Sequence, residues 1–253
     1  MTGSPRSYKN PSAVEEEVYR IRSRKNLLLW YTADEPDGWG DPLDATSLAY
    51  NKIYDTDGYH PVSLVLNCQD YEFEAYAAGA DIVMQDVYTI GINATHSVVW
   101  DTGCTSDYGD CGCDNCVGEF EDISRRVDQF GGRLEALGWE RSKSVWTVSQ
   151  AFGGDSYWSR IPTGNEWVVQ SLLAVTHGAL GLFRFIHLFH TPLLTVLIRG
   201  YPLERSYLGG YQGSRHRSQS AARSDLDKVR FSPRYGVHDL HMGTCPFWNL
   251  ERR

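Results

Sequence analysis

Two adjacent acids, Asp34 and Glu35, end the uncharged run Leu27-Leu28-Leu29-Trp30-Tyr31-Thr32-Ala33. Such a pair can move protons: a carboxyl kept neutral donates one, and an ionised neighbour accepts one. The run before them reads as a strand buried on both faces, as in a parallel sheet. Acids at the carboxyl end of such a strand occupy the place where α/β barrels carry catalytic groups. They could instead be ordinary turn residues capping the next helix. Glu is a poor turn former, however, and Pro36-Asp37-Gly38 already supplies the turn chemistry. Asp86, at the end of Asp81-Ile82-Val83-Met84-Gln85-Asp86, is the nearest second carboxylate, and its plain alternative is a hydrogen-bonded strand-end cap.

The elements that must position these groups recur along the chain. Strand-like runs follow at Val62 to Asn67, Asp81 to Asp86, Ser144 to Gln150 and Gly178 to Phe183. Between them the spacing predicts helices over Ala45 to Tyr54, Tyr71 to Ala78, Ile123 to Leu137 and Asn165 to His177, the last with Pro162-Thr163 as its start signal. Strands alternating with helices argue for an α/β chain with a parallel sheet. Five units make an incomplete (β/α)8 TIM barrel, in which Leu27 begins strand four and the first three βα units are absent. Such a half barrel leaves sheet edges unpaired. The expected division is therefore a leader (1–26) with one helix at Pro11 to Ser23, a partial barrel (27–183) and an irregular tail (184–253).

Charge marks the last boundary. Up to Leu182 there are 13 basic and 27 acidic residues; from Phe183 onward there are 11 and 5, ten of the eleven being Arg. Periodicity fades, and Gly209 to Ser220 reads as a disordered basic linker. Either the tail meets an anionic surface, or it is sequence never selected for folding, which the stop inside the last strand favours. The apolar run His187 to Ile198 is too short and Pro-interrupted to span a membrane. The acidic body argues against a nucleic-acid partner and suits a neutral or polar one. At 253 residues and 42% hydrophobic content, one sizeable core is affordable by size. Residues Met1 to Asn10 lack the apolar segment of a signal peptide.

Four of six cysteines, Cys104, Cys111, Cys113 and Cys116, fall within thirteen residues. Structural zinc sites usually take two pairs well separated in sequence. The spacing here is cramped, although Asp107, Asp110 and Asp114 would help a cation. Two local disulfides are the plainer account, with metal as the alternative. Asn93-Ala94-Thr95 is an N-glycosylation acceptor pattern. Both features lean towards an oxidising compartment.

Trp30-Tyr31-Thr32-Ala33-Asp34-Glu35-Pro36-Asp37-Gly38, His60 to Asn67, Ala80 to Tyr88 and Gly109 to Cys116 resemble fungal TIM-barrel proteins of the glycoside hydrolase superfamily, a group mostly unassigned in substrate. The resemblance spans about Val14 to Gly181. It implies a secreted protein in its complete form and hydrolysis of O-glycosidic bonds in a carbohydrate. Asp34-Glu35-Pro36 is similar to the Asn-Glu-Pro motif ending strand four in many retaining glycosidases, which makes Glu35 the general acid/base. Asp34 stands where an Asn would hold a sugar hydroxyl. The strand that should carry the nucleophilic Glu offers Gln150 instead, and an amide cannot replace a carboxylate nucleophile. Asp86 is then the expected second carboxylate. Like charge from Asp34 and desolvation by Trp30 or Trp39 would keep Glu35 protonated. Trp39, Asn67, Tyr88, Gln150 and Trp158 are expected to orient hydroxyls or stack on a sugar ring.

Other chemistry finds little support. There is no Gly-x-Ser-x-Gly elbow, no dinucleotide or phosphate loop, and so no cofactor is expected. A non-catalytic carbohydrate-binding barrel, or an interaction or metal-binding protein organised by the cysteine loop, are the alternatives. Oligomeric state is not legible.

Overall fold

The computed structural model describes the backbone of residues 7–104, 111–154, 157–188 and 191–198, with side chains described up to Arg184. After a 3-10 turn (Ser7–Lys9), the elements in chain order are α1 (Pro11–Ile21), β1 (Trp30–Asp34), α2 (Ala45–Thr56), β2 (Val62–Leu66), α3 (Phe73–Ala77), β3 (Ile82–Gln85), β4 (His96–Ser97), β5 (Thr102–Gly103), α4 (Glu121–Ala136), β6 (Ser144–Gln150), α5 (Gly164–Thr176), β7 (Gly181–Leu188) and β8 (Thr191–Ile198). Strands β1, β2, β3, β6 and β7 pair in parallel, in that order, as a curled half barrel. β4 and β5 form a separate two-residue antiparallel pair.

Alternation along the strands divides the interior into two layers. Leu64, Leu66, Val83 and Val145 pack with the helices, among Val14, Val18, Ile53, Tyr76, Phe130 and Leu134. Val65, Ile82, Met84, Trp146, Val148 and Phe183 form the second layer, joined by Tyr88 and Phe152. The leader is fastened by Tyr8 and Lys9, which both donate to buried Asp41, at 2.5 and 2.7 Å. α5 begins as its sequence signal suggests. Thr163 and Glu166 cap each other's backbone N–H groups, at 3.3 Å to the Thr163 hydroxyl and 2.8 Å to the Glu166 carboxylate.

β1 starts later than expected, at Trp30, whose N–H donates to the Pro61 carbonyl at 2.8 Å. The larger correction lies at the other end. The pattern does not stop at Phe183: β7 runs on to Leu188, and β8 pairs antiparallel with it from Gly181↔Ile198 to Leu188↔Thr191. Residues 184–198 are thus strand rather than irregular tail. Thr195, Val196 and Ile198 are β-branched strand formers, but a search for βα repeats passes over an antiparallel return. The Arg-rich remainder, including Gly209 to Ser220, lies outside the described residues.

Close packing fixes the α3–β3 corner. A Cβ on Gly79 would stand 2.3 Å from the Thr46 carbonyl carbon, which belongs to a helix and cannot yield. Gly131 in α4 has open space instead. Gly79→Ala is expected to lower stability by about 1–3 kcal/mol through overpacking, and Gly131→Ala to raise it by about 0.5–1 kcal/mol through helix propensity. Urea unfolding of both variants checks the pair; equal effects would contradict the corner's geometry.

Candidate functional site

The carboxyl ends of β1, β2 and β3 converge, and β1 is shaped to present its acids there. Its register slips between Tyr31↔Ser63 and Asp34↔Val65, so three steps on β1 match two on β2. That bulge re-aims the strand end. Glu35 then adopts φ +50°, a left-handed conformation that side chains rarely take and that surrounding bonds must hold. Its N–H reaches the Val65 carbonyl at 3.1 Å, and its carbonyl accepts from Trp39 at 3.0 Å.

The two acids singled out by the sequence meet. The carboxyl of Glu35 lies within hydrogen-bonding reach of Asp86, and its charge raises the affinity of Asp86 for protons. Asp86 is buried, and its carboxyl is raised well above the carboxylate range, first by lost hydration and then by the charge of Glu35 and the bond to it. Within the pair, the rise in proton affinity is seen at Asp86. Asn67, also buried, donates its amide to Glu35 Oε1 at 3.2 Å, while its own Oδ1 has no partner among the described residues.

Two further acids crowd the mouth. Asp34 is exposed by residue area, yet lost hydration of its carboxyl outweighs the hydroxyl donated by Tyr31 at 2.7 Å, and its affinity for protons rises. Asp37 is buried and accepts three backbone N–H groups, from Gly38 (2.9 Å), Asn67 (3.2 Å) and Cys68 (2.8 Å). Burial still dominates and pushes it up to about 7. Below them lies the guanidinium of Arg126, buried in α4. It donates to the Asn67 carbonyl at 2.6 Å and to the Asp114 carbonyl. Asn67 is so held by its N–H from one side and its carbonyl from the other.

Asp37 and Arg126 were not expected as site residues. Pro-Asp-Gly reads as surface turn chemistry, and an Arg in an amphipathic helix reads as a solvated charge. Only the tertiary contacts bury them.

The expected aromatic positions divide. Tyr88, Phe152 and Trp158 pack edge to face, with ring centres 4.9 to 5.7 Å apart, and Trp158 donates its indole N–H to the Tyr88 carbonyl at 2.9 Å. Tyr88 thus sits two residues from Asp86 within an aromatic cluster, and Trp39 is 40% exposed on the turn after Glu35. Gln150 needs correcting. It is fully buried, accepts from the Ile90 N–H at 2.9 Å, and donates to the Ile90 and Phe152 carbonyls at 3.1 Å each. Its amide ties the chain after β3 to the end of β6, and both of its N–H groups are engaged there.

Cys104 bonds to Cys111 and Cys113 to Cys116, which leaves none of the four as a thiolate for metal. Asp107 and Asp110 lie outside the described residues. The loop is tied to the mouth through Asp114, which accepts from the Gln69 N–H at 2.7 Å, and Asn115, which donates to the Gln69 side chain at 2.7 Å. A cavity of about 20 Å³ between Gln69, Asn115 and Arg126 is large enough for one water and lies apart from the acid pair. No described helix is long and apolar enough to cross a membrane.

No protein-family model and no curated protein matches the chain. Among solved structures, it is similar to a candidate alpha-L-fucosidase from Bacteroides thetaiotaomicron, with 10% identity and a TM-score of 0.48. The match covers 72% of this chain and 55% of that one, so this chain spans about half the length of the structure it matches.

The raised carboxyls have a signed consequence. An Asp in an unfolded chain titrates at about 3.9, so between about pH 4 and 7 the folded protein holds a proton on Asp37 that the unfolded chain has released. Stability from this group falls as pH rises through that window. Asp34 and Asp86 act in the same sense, whereas Glu166, held at about 2 by Arg160, acts in the opposite sense at lower pH. In Asp37→Asn, the wild type's stability advantage should therefore shrink as pH rises from about 4 to 7. Denaturant titrations at several pH values measure it; an advantage that stayed level or grew over this window would show that the fold does not raise Asp37.

Proposed function

We propose that this protein hydrolyses O-glycosidic bonds in a carbohydrate, with Glu35 and Asp86 as its acid–base pair. The observation that carries the reading is the placement of Glu35 beside buried Asp86 at neighbouring strand ends, where burial and the charge of Glu35 raise the proton affinity of Asp86. Two carboxyls pushed apart in this way supply the acid and the base that glycoside hydrolysis draws on. Asp86 then protonates the leaving oxygen and Glu35 acts as the base, the reverse of the order suggested by the Asn-Glu-Pro resemblance. Asn67, with its unpartnered Oδ1, and Asp34 would take sugar hydroxyls, and Trp39, Tyr88 and Trp158 would offer aromatic faces.

The sheet corresponds on this reading to strands four to eight of an eight-stranded barrel, in a protein secreted in its complete form, as the two disulfides support. The resemblance to fungal barrel proteins rests on the sequence blocks alone. A second reading, carbohydrate binding without turnover, is favoured by Gln150, which stands in place of a nucleophile and is fully engaged elsewhere.

Initial rates on a panel of aryl glycosides test the assignment. Glu35→Gln and Asp86→Asn are each expected to lower kcat/KM by about 10²–10⁴-fold, and the double variant to lose little more, because the two act as a unit. Unchanged turnover in either single variant would end the assignment. Saturable glycan binding with no turnover by the wild type would select the second reading.

A further inference from the structure

We infer that Asn93 is an N-glycan attachment site. Asn93-Ala94-Thr95 is the only Asn-x-Ser/Thr triplet in the sequence whose middle residue is not Pro, since Asn10 is followed by Pro11. The pattern alone is common; the structure adds three observations.

Asn93 is exposed, on the stretch between β3 and β4. Its Oδ1 accepts from the Thr95 N–H (3.1 Å), the Thr95 hydroxyl (2.9 Å) and the His96 N–H (3.1 Å). Three donors on one atom fix the amide's orientation and leave Nδ2 outside this set of bonds, on an exposed residue. A sugar on Nδ2 would cost none of these bonds, all of which are made to Oδ1.

The turn is also held from outside. Cys104 donates its N–H to the Thr95 carbonyl at 3.1 Å and is itself bonded to Cys111. On the other side, the Ser159 N–H and hydroxyl reach the Gly91 carbonyl at 2.9 and 3.0 Å. Disulfides form in the oxidising compartments where N-glycans are added. The crosslink beside Asn93 and the acceptor triplet thus point to one environment.

The donor is a polyprenyl-diphosphate-linked oligosaccharide. Asn93 Nδ2 attacks the anomeric carbon; a C–N bond forms as the C–O bond to the diphosphate breaks. The electron pair leaves with the diphosphate, which also takes the Nδ2 proton. This site stands independently of the hydrolase reading.

The test secretes the full chain from a eukaryotic host behind a cleavable leader and analyses the leader-processed product by peptide mass mapping. The expected result is a glycan on the Asn93 peptide, and an Asp carrying heavy oxygen at that position after amidase release in labelled water. Thr95→Ser should keep the modification, whereas Asn93→Gln and Thr95→Ala should abolish it without loss of secretion. A leader-processed, disulfide-bonded wild type with unmodified Asn93 would overturn the inference.

Discussion

Two neighbouring carboxyls, Asp86 buried and Glu35 half-buried, cannot both ionise without cost, and the mouth of this half barrel is organised around that constraint. Ionising Glu35 and Asp86 together would set two negative charges in contact with little water to screen them. Asp34 and Asp37 stand close by and worsen the repulsion. Asp37 is relieved by three backbone N–H groups and Asp34 by the Tyr31 hydroxyl. Arg126 supplies a buried cation beneath them. Excess negative charge is thus met with fixed dipoles, one guanidinium and a retained proton, as in sites tuned for acid–base work.

The scaffold's irregular features serve the same end. The bulge in β1 and the left-handed Glu35 would be faults in a strand built only for stability. Here they turn two consecutive acids out of the strand's alternation, and Asn67 is clamped between Asp37 and Arg126 so that its amide meets Glu35. The layer of Val65, Met84, Trp146 and Phe183 keeps the ground beneath the acids apolar. Gln150, fully buried, fixes the chain that follows Asp86. Its burial accounts for an amide at that strand end without reference to catalysis.

Much of the frame was legible because it depends on local pattern. Uncharged β-rich runs such as Val62 to Leu66, punctuated by turn residues, read directly as buried parallel strands, and Thr163 with Glu166 announces α5. Glu35, Asp86 and Asn67 could be picked because acids and amides at the ends of such strands share one rim. The rest depends on pairing between distant segments. Nothing near Asp37 in sequence says that the N–H groups of Asn67 and Cys68 close around it. Nothing near Arg126 says that helix α4 turns it inward. Gln150 has the composition of a substrate contact and the geometry of a clasp. β8 was missed because an antiparallel return breaks the repeat by which the other strands were recognised.

The most direct test of this account is carbon NMR titration of side-chain-labelled Asp86, in the wild type and in Glu35→Gln. The account predicts a carboxyl that titrates well above the ordinary carboxylate range in the wild type, and whose titration moves down when the charge of Glu35 is removed, because burial then acts without its charged neighbour. An Asp86 that ionises in the ordinary carboxylate range, indifferent to the residue at position 35, would contradict the raised carboxyl and the function built on it.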